Sequence, residues 1–388
     1  MKDFIYLDNS ATTRICDEAL KKYDEISTLC YGNPSSLHDK GVDAEKEVNS
    51  ARKTVLESID AENCNLFFTS SGTEANNLAI LGRAFAKERF KNGAKIITTK
   101  GEHASVNQPL EMLKNLGYKV SYIDTRGGVI DIEQLKSELT SDTILVTVMM
   151  VNNETGAVYN IPSVKKAMLE KSSSALLHVD ATQGYMKIPF IKAAIGADMI
   201  TLSAHKIEGP KGVGALVVDQ SVIKARGLSP IMLGGGQEGG YRSGTENVPG
   251  ICAFGEAVRV YSENLNERIA HIASLREYLV KELTDKLPEI SVTNPKFHAP
   301  HILNITLPDI KSETVLHFLS SRGIYVSSGS ACSSNSHHRD SALVAYGISE
   351  KEADCSVRIS LSHRNSKEDV DALVSALDEA TKRLARMR

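Results

Sequence analysis

The chain has 388 residues, with 45 Lys and Arg against 48 Asp and Glu and a formal net charge of −3. So even a balance gives no electrostatic footprint for direct nucleic-acid binding, and 41% hydrophobic with 24% charged residues is an ordinary globular composition. The best apolar run, residues 144–151, falls far short of the roughly 20 residues that span a membrane.

The first eight residues hold an apolar core too short for a secretory signal. From residue 66, short β-type runs alternate with longer helical patterns. Strands are expected at 66–69, 95–99, 119–123, 143–151, 175–179, 199–202 and 213–218, with helices over 73–89 and up to 116. Such alternation implies βαβ crossovers and a mainly parallel, seven-stranded sheet. The runs are apolar throughout, as in strands covered on both faces. A long helix is expected over 255–287, ending before Pro288. Beyond it lie strands near 302–307, 324–326 and 357–361, with helices near 314–321 and from 367 onward. The fold class is therefore α/β, a large domain over 15–260 plus a smaller α+β domain made of 1–14 and 261–388. The basic end, 382–388, reads as a solvated helix end.

Several strand ends carry polar clusters. Ser70-Ser71-Gly72-Thr73-Glu74 stands between a strand and a helix. Free N–H groups at a helix start suit a phosphate, and Gly72 lets the backbone approach; a plain N-cap is the simpler alternative. His103, after the strand ending at Thr99, can stack on a flat cofactor and shuttle protons, or be merely structural. Asn152-Asn153-Glu154-Thr155-Gly156 follows another strand and offers amide donors. Asp180 ends a further strand, with Gln183 one turn on, and Ser203-Ala204-His205-Lys206 ends the next. A carboxylate and an amine at one sheet edge suit pyridoxal 5′-phosphate, with Lys206 as its Schiff base and Asp180 on its pyridinium nitrogen. Ser203 and His205 would be phosphate donors. The run Gly234-Gly235-Gly236-Gln237-Glu238-Gly239 matches G-x-G-x-x-G but follows no clear strand and opens no convincing helix, so a dinucleotide reading is poor.

Six cysteines are scattered without paired spacing, which fits free thiols in a reducing cytoplasm. Cys332 differs from the rest: it lies in the small Ser/Gly run 327–334, where a movable, exposed thiol can act as a nucleophile. At an unperturbed pKa of about 8.5 it needs a nearby base or donor. A metal site with His337-His338 is a rival of unconvincing spacing, and no metal is expected.

Assembled in order, these motifs resemble the NifS/IscS-like cysteine desulfurases of the class V aminotransferase family. The resemblance includes Tyr6-Leu7-Asp8-Asn9-Ser10-Ala11-Thr12-Thr13, Tyr31-Gly32-Asn33-Pro34-Ser35-Ser36, Arg242-Ser243-Gly244-Thr245-Glu246-Asn247 and the Cys332 segment, and runs nearly end to end. It implies the fold type I of pyridoxal phosphate enzymes and a homodimer to which Thr245 is donated across the interface. It further implies that Gly72, Thr73, Ser203 and His205 hold the phosphate, that Gln183 and Asn153 contact the ring, and that Arg358 fixes the substrate carboxylate with Asn33 and Asn153 nearby. Lys206, His103 and Cys332 are the implied catalytic residues, Cys332 on a mobile loop at about 327–340 that takes sulfur from L-cysteine as a persulfide. L-Alanine leaves, and the sulfur passes to an acceptor protein in iron–sulfur cluster assembly or tRNA thiolation. The chain departs from the pattern at Glu208, usually tyrosine, at Gly239, usually arginine, and after Cys332. The alternatives on the same fold are a selenocysteine lyase or another aminotransferase, neither of which demands Cys332, and a non-catalytic scaffold, which would have lost the cofactor residues.

Overall fold

A computed structural model of the chain describes residues 4–86, 93–328 and 342–384. In chain order its strands are β1 (Ile5–Tyr6), β2 (Cys64–Thr69), β3 (Lys95–Thr99), β4 (Lys119–Ile123), β5 (Thr143–Met149), β6 (Leu176–Asp180), β7 (Met199–Ser203), β8 (Gly214–Asp219), β9 (Ser291–Thr293), β10 (Ile302–Thr306), β11 (Ile324–Tyr325), β12 (Ser327–Ser328) and β13 (Ser356–Ser360). Seven of them form one sheet in the order β2-β8-β7-β6-β5-β3-β4. Its pairings are parallel from β7 to β4, whereas β8 runs against both β7 and β2. The connection 204–213 between β7 and β8 explains that reversal, because a parallel crossover needs about a dozen residues or more. Consequently β2, β3, β5, β6 and β7 all end at the same sheet edge, and Lys206 sits in the tight turn between β7 and β8.

The continuous apolar runs are explained by two cores, one on each face. Ile96, Leu145, Met199, Leu216 and Val218 point into a cluster with Leu78, Val106 and Leu110. Their chain neighbours Ile97, Val146, Ile200 and Val217 pack on the other side, as does Leu202, with Ile251, Phe254 and Val258. The alternation across a strand thus delivers both halves of each run to apolar surroundings.

A second sheet, antiparallel and ordered β12-β13-β10-β9, has its own core of Leu275, Leu279, Leu303, Ile305, Val357, Ile359 and Leu373. Leu7 joins that core, and β1 pairs in parallel with β11, so the chain start packs with its last third.

Two helical expectations need correction. The helix expected over 255–287 is two helices, Val248–Glu263 and Leu265–Lys286, broken at Asn264 (φ −131°, ψ 29°). The break falls where the chain changes cores: Phe254 and Val258 belong to the large sheet, Leu275 and Leu279 to the small one. Asparagine readily leaves helical geometry, because its side chain competes for backbone partners. The helix expected over 73–89 is Gly72–Ala84, capped at Phe85, and Arg89 lies outside the described residues. No helix among the described residues is long and apolar enough to cross a membrane.

Candidate active site

The strand ends enclose a cavity of about 320 Å³, lined among others by Gly72, Thr73, His103, Asn153, Asp180, Gln183, Ser203, His205, Lys206 and Arg358. That size falls in the range of small-molecule and cofactor sites. Ten sequence-expected residues therefore come together from segments spread over most of the chain.

After β2, Ser71 caps the helix Gly72–Ala84, its hydroxyl accepting from the Glu74 N–H at 3.2 Å. The capping expectation is thus met, yet the first N–H groups of any helix lack intrahelical partners and stay available to an anion. A Cβ on Gly72 would come within 3.1 Å of Thr182 Oγ1 and 3.4 Å of Ser203 Cβ, so the glycine keeps this corner open. Ser203 is buried, and its hydroxyl has no hydrogen-bond partner among the described residues. Leaving such a group unmet is costly, and a phosphate oxygen would satisfy it. His205 adds a ring whose Nδ1 lies 3.1 Å from Thr12 Oγ1; burial, then the charges of Lys206 and Lys211, push its pKa down to about 4, leaving a neutral donor or acceptor.

At the end of β6, the buried Asp180 accepts from Asn76 Nδ2 (2.8 Å) and from the Thr182 N–H (2.9 Å). Asn76 also donates to Ser105 Oγ (2.8 Å), which lies 2.9 Å from His103 Nδ1. The Ser105 N–H donates to that same Nδ1 (3.1 Å), so Nδ1 is an acceptor and the neutral ring carries its proton on Nε2. Burial lowers the His103 pKa, partly opposed by Asp180 and reinforced by Lys206 and Arg358. Beneath these groups His178 bridges Thr147 and Thr201, with its pKa driven down to about 4 chiefly by burial.

Lys206 donates from Nζ to the backbone carbonyls of Ser10 (2.5 Å) and Ala11 (2.9 Å), and Gln183 Nε2 donates to the same Ser10 carbonyl (2.9 Å). Arg358, 8% exposed on β13, donates to the Asn153 carbonyl (2.9 Å) and pairs with Asp8 Oδ1 (3.0 Å). Beside it Glu154 is pushed up to about 7 by burial, against the pull of Arg358 and the Leu343 backbone N–H. An amine, a carboxylate, a neutral imidazole, an anion cradle and a guanidinium face one another, and this donor set fits pyridoxal phosphate with an amino acid.

Two expected residues do not line this cavity. Asn33 is exposed, with its Oδ1 accepting from the Ser35 N–H at 3.0 Å. Thr245 is exposed too, in a segment fixed by the Gly244 N–H to Gln237 Oε1 (2.9 Å). Cys332 lies outside the described residues. Sequence reasoning assigned no role to Asp8, Ser10, Ala11, Asn76, Ser105 or Glu154. Asn76 carried a signal, a polar residue on a helix otherwise buried through Leu78, Ala79 and Ile80.

The sequence profile of the aminotransferase class-V family matches residues 5–373. The cysteine desulfurase IscS of Clostridium botulinum is 36% identical over 391 aligned positions, which cover 100% of this chain and 96% of that protein. The solved structure of a NifS-like protein superposes with a TM-score of 0.90 at 35% identity, covering 98% of this chain and 99% of that one. A structure described as SspA in complex with cysteine matches with a TM-score of 0.80 at 30% identity, covering 93% of this chain and 100% of that one. The α/β fold, the cofactor-type site and these matches agree: the chain belongs to the class-V aminotransferase family, within its NifS/IscS-like cysteine desulfurase group.

Proposed function

We propose that this protein is a pyridoxal phosphate-dependent cysteine desulfurase that converts L-cysteine to L-alanine and keeps the sulfur as a persulfide on Cys332. The observation that carries the reading is the meeting of Lys206, Asp180, the Gly72/Ser203/His205 cradle and Arg358 in one cavity. When bound, pyridoxal phosphate supplies an electron sink that acidifies the α-proton of an amino acid. Ser203, His205, Thr73 and the helix start at Gly72 would hold its phosphate; Asp180, fixed by Asn76 and Thr182, would keep a proton on the ring nitrogen; Gln183 and Asn153 would border the ring.

Arg358 grips the substrate carboxylate with a guanidinium fork. The Lys206 amine takes the α-proton, and the neutral His103 moves protons from Nε2. The Cys332 thiolate then attacks the substrate sulfur: the carbon–sulfur bond breaks, a sulfur–sulfur bond forms, and the β-carbon gains a proton to give alanine. The persulfide passes by thiol exchange to an acceptor protein serving iron–sulfur cluster assembly or tRNA thiolation.

Residues 15–260 are the proposed cofactor unit, with 1–14 and 261–388 as the smaller one, a division that the two main apolar clusters broadly follow, although Ala299 and Ile302 pack with the larger one. Thr245, exposed and away from its own cavity, suits donation to the partner's phosphate site in a homodimer. No disulfide joins Cys16, Cys30, Cys64 and Cys252 to one another among the described residues, which fits a reducing cytoplasm. The test is alanine formation from cysteine by cofactor-loaded protein, with Lys206→Ala as the control; alanine at an equal rate from that variant would defeat the reading.

A further inference from the structure

Glu208 stands two positions past Lys206 with a left-handed φ of +61°, which a glutamate adopts only when its surroundings impose it. Its backbone is held at both ends, the N–H by Thr13 Oγ1 (2.8 Å) and the carbonyl by the Cys16 N–H (2.9 Å). The side chain is 2% exposed and accepts two bonds from Arg364, Nε to Oε1 at 3.1 Å and Nη2 to Oε2 at 2.8 Å. His363 Nδ1 lies 3.6 Å from Oε1. Burial works against the carboxylate, but the Arg364 bonds and the charges of Arg364 and Lys187 outweigh it and hold Glu208 below the usual range, while burial pushes His363 down to about 4 and leaves that ring neutral.

Arg364 follows β13, the strand that carries Arg358. We propose that Glu208 and Arg364 are a positioning pair that fixes the Lys206 turn against the Arg358 strand, an inference that rests on the desulfurase reading above. A buried ion pair is a weak source of stability, since its attraction does little more than offset its desolvation. What it does supply is geometry, because a bidentate fork sets both distance and orientation. The reacting geometry here depends on two groups from different cores: Arg358 fixes where the α-carbon sits, and Lys206 must reach its proton. The segment 10–16 ties the lysine turn from one side, through the Ser10, Ala11 and Thr13 bonds. Glu208 ties it from the other, through Arg364, to the segment that follows the Arg358 strand.

The pair is tested with cofactor-loaded Glu208→Gln, Arg364→Lys and the double variant. The readouts are alanine formation per bound cofactor, the KM for cysteine, and the isotope effect with α-deuterated cysteine. Each variant is expected to lose about tenfold or more in kcat per bound cofactor, as slight misplacement of a reacting group does. The KM stays within about threefold, because Arg358 keeps its own anchors. The isotope effect rises as proton removal becomes slower, and the double variant is no worse than the poorer single one, as for residues that act as a unit. A kcat per bound cofactor within about twofold of wild type, or a loss lying wholly in KM or in cofactor content, overturns the pair's role. A wild-type protein that makes no alanine overturns the underlying reading instead.

Discussion

Asp8 Oδ1 and Arg358 Nη2 meet at 3.0 Å although 350 positions of chain separate them. The carboxylate and the Asn153 carbonyl each take one terminal nitrogen of the guanidinium, while Nε has no partner among the described residues. Burial pushes the Asp8 pKa up, and the nearby Arg358 and Lys206 charges oppose that push. The arginine is thus oriented before any substrate arrives.

Replacing Arg358 by lysine keeps the charge but removes the fork. The KM for cysteine should rise about 10- to 100-fold, with a smaller change in kcat. Steady-state kinetics at saturating cofactor check this. Asp8→Asn, which weakens the orientation without touching the fork, should give a smaller rise in KM.

Ser203→Ala removes the buried hydroxyl that has no partner among the described residues. Were it only structural, its loss would be neutral or stabilising. As a phosphate donor, its loss should weaken cofactor binding by about 1–2 kcal/mol, or roughly tenfold. Fluorescence titration of the apoprotein with pyridoxal phosphate measures the difference.

Glu102, beside His103, is buried and pushed up to about 8, mainly by burial, with Asp180 adding to the rise and bonds from Thr99 and the Met149 N–H opposing it. Its folded pKa exceeds the unfolded value, so its contribution to stability is present below about pH 4.5 and lost as pH rises through about 8. Glu102→Gln does not titrate. The melting temperature of the variant minus that of wild type should therefore grow between about pH 6 and about pH 9. A constant difference would contradict a neutral Glu102.

The strand-end residues were legible because each lies in a local pattern, an apolar run followed by a polar burst, as at Asp180, Ser203 and His103. The seven strands could be read for the same reason. What holds those residues was not legible. Lys206 is bound by carbonyls 196 and 195 positions away, and a backbone carbonyl leaves no mark on residue type. Glu208 registers only as an unexpected acid until Arg364, 156 positions on, is placed against it. The Asn264 break was hidden because apolar spacing continues on both sides, and only the change from one core to the other shows why the helix stops. Asn33 and Thr245 lie in exposed segments, and their motifs alone do not place them in this cavity.

The most direct test of the central claim is a single turnover of cofactor-loaded protein with cysteine, stopped by alkylation and followed by mass spectrometry with alanine quantified in parallel. The account predicts alanine in step with one added sulfur atom on the peptide carrying Cys332, and loss of that sulfur adduct in Cys332→Ala. Sulfur release by Cys332→Ala equal to that of wild type, or alanine formed with no sulfur added at Cys332, would contradict it.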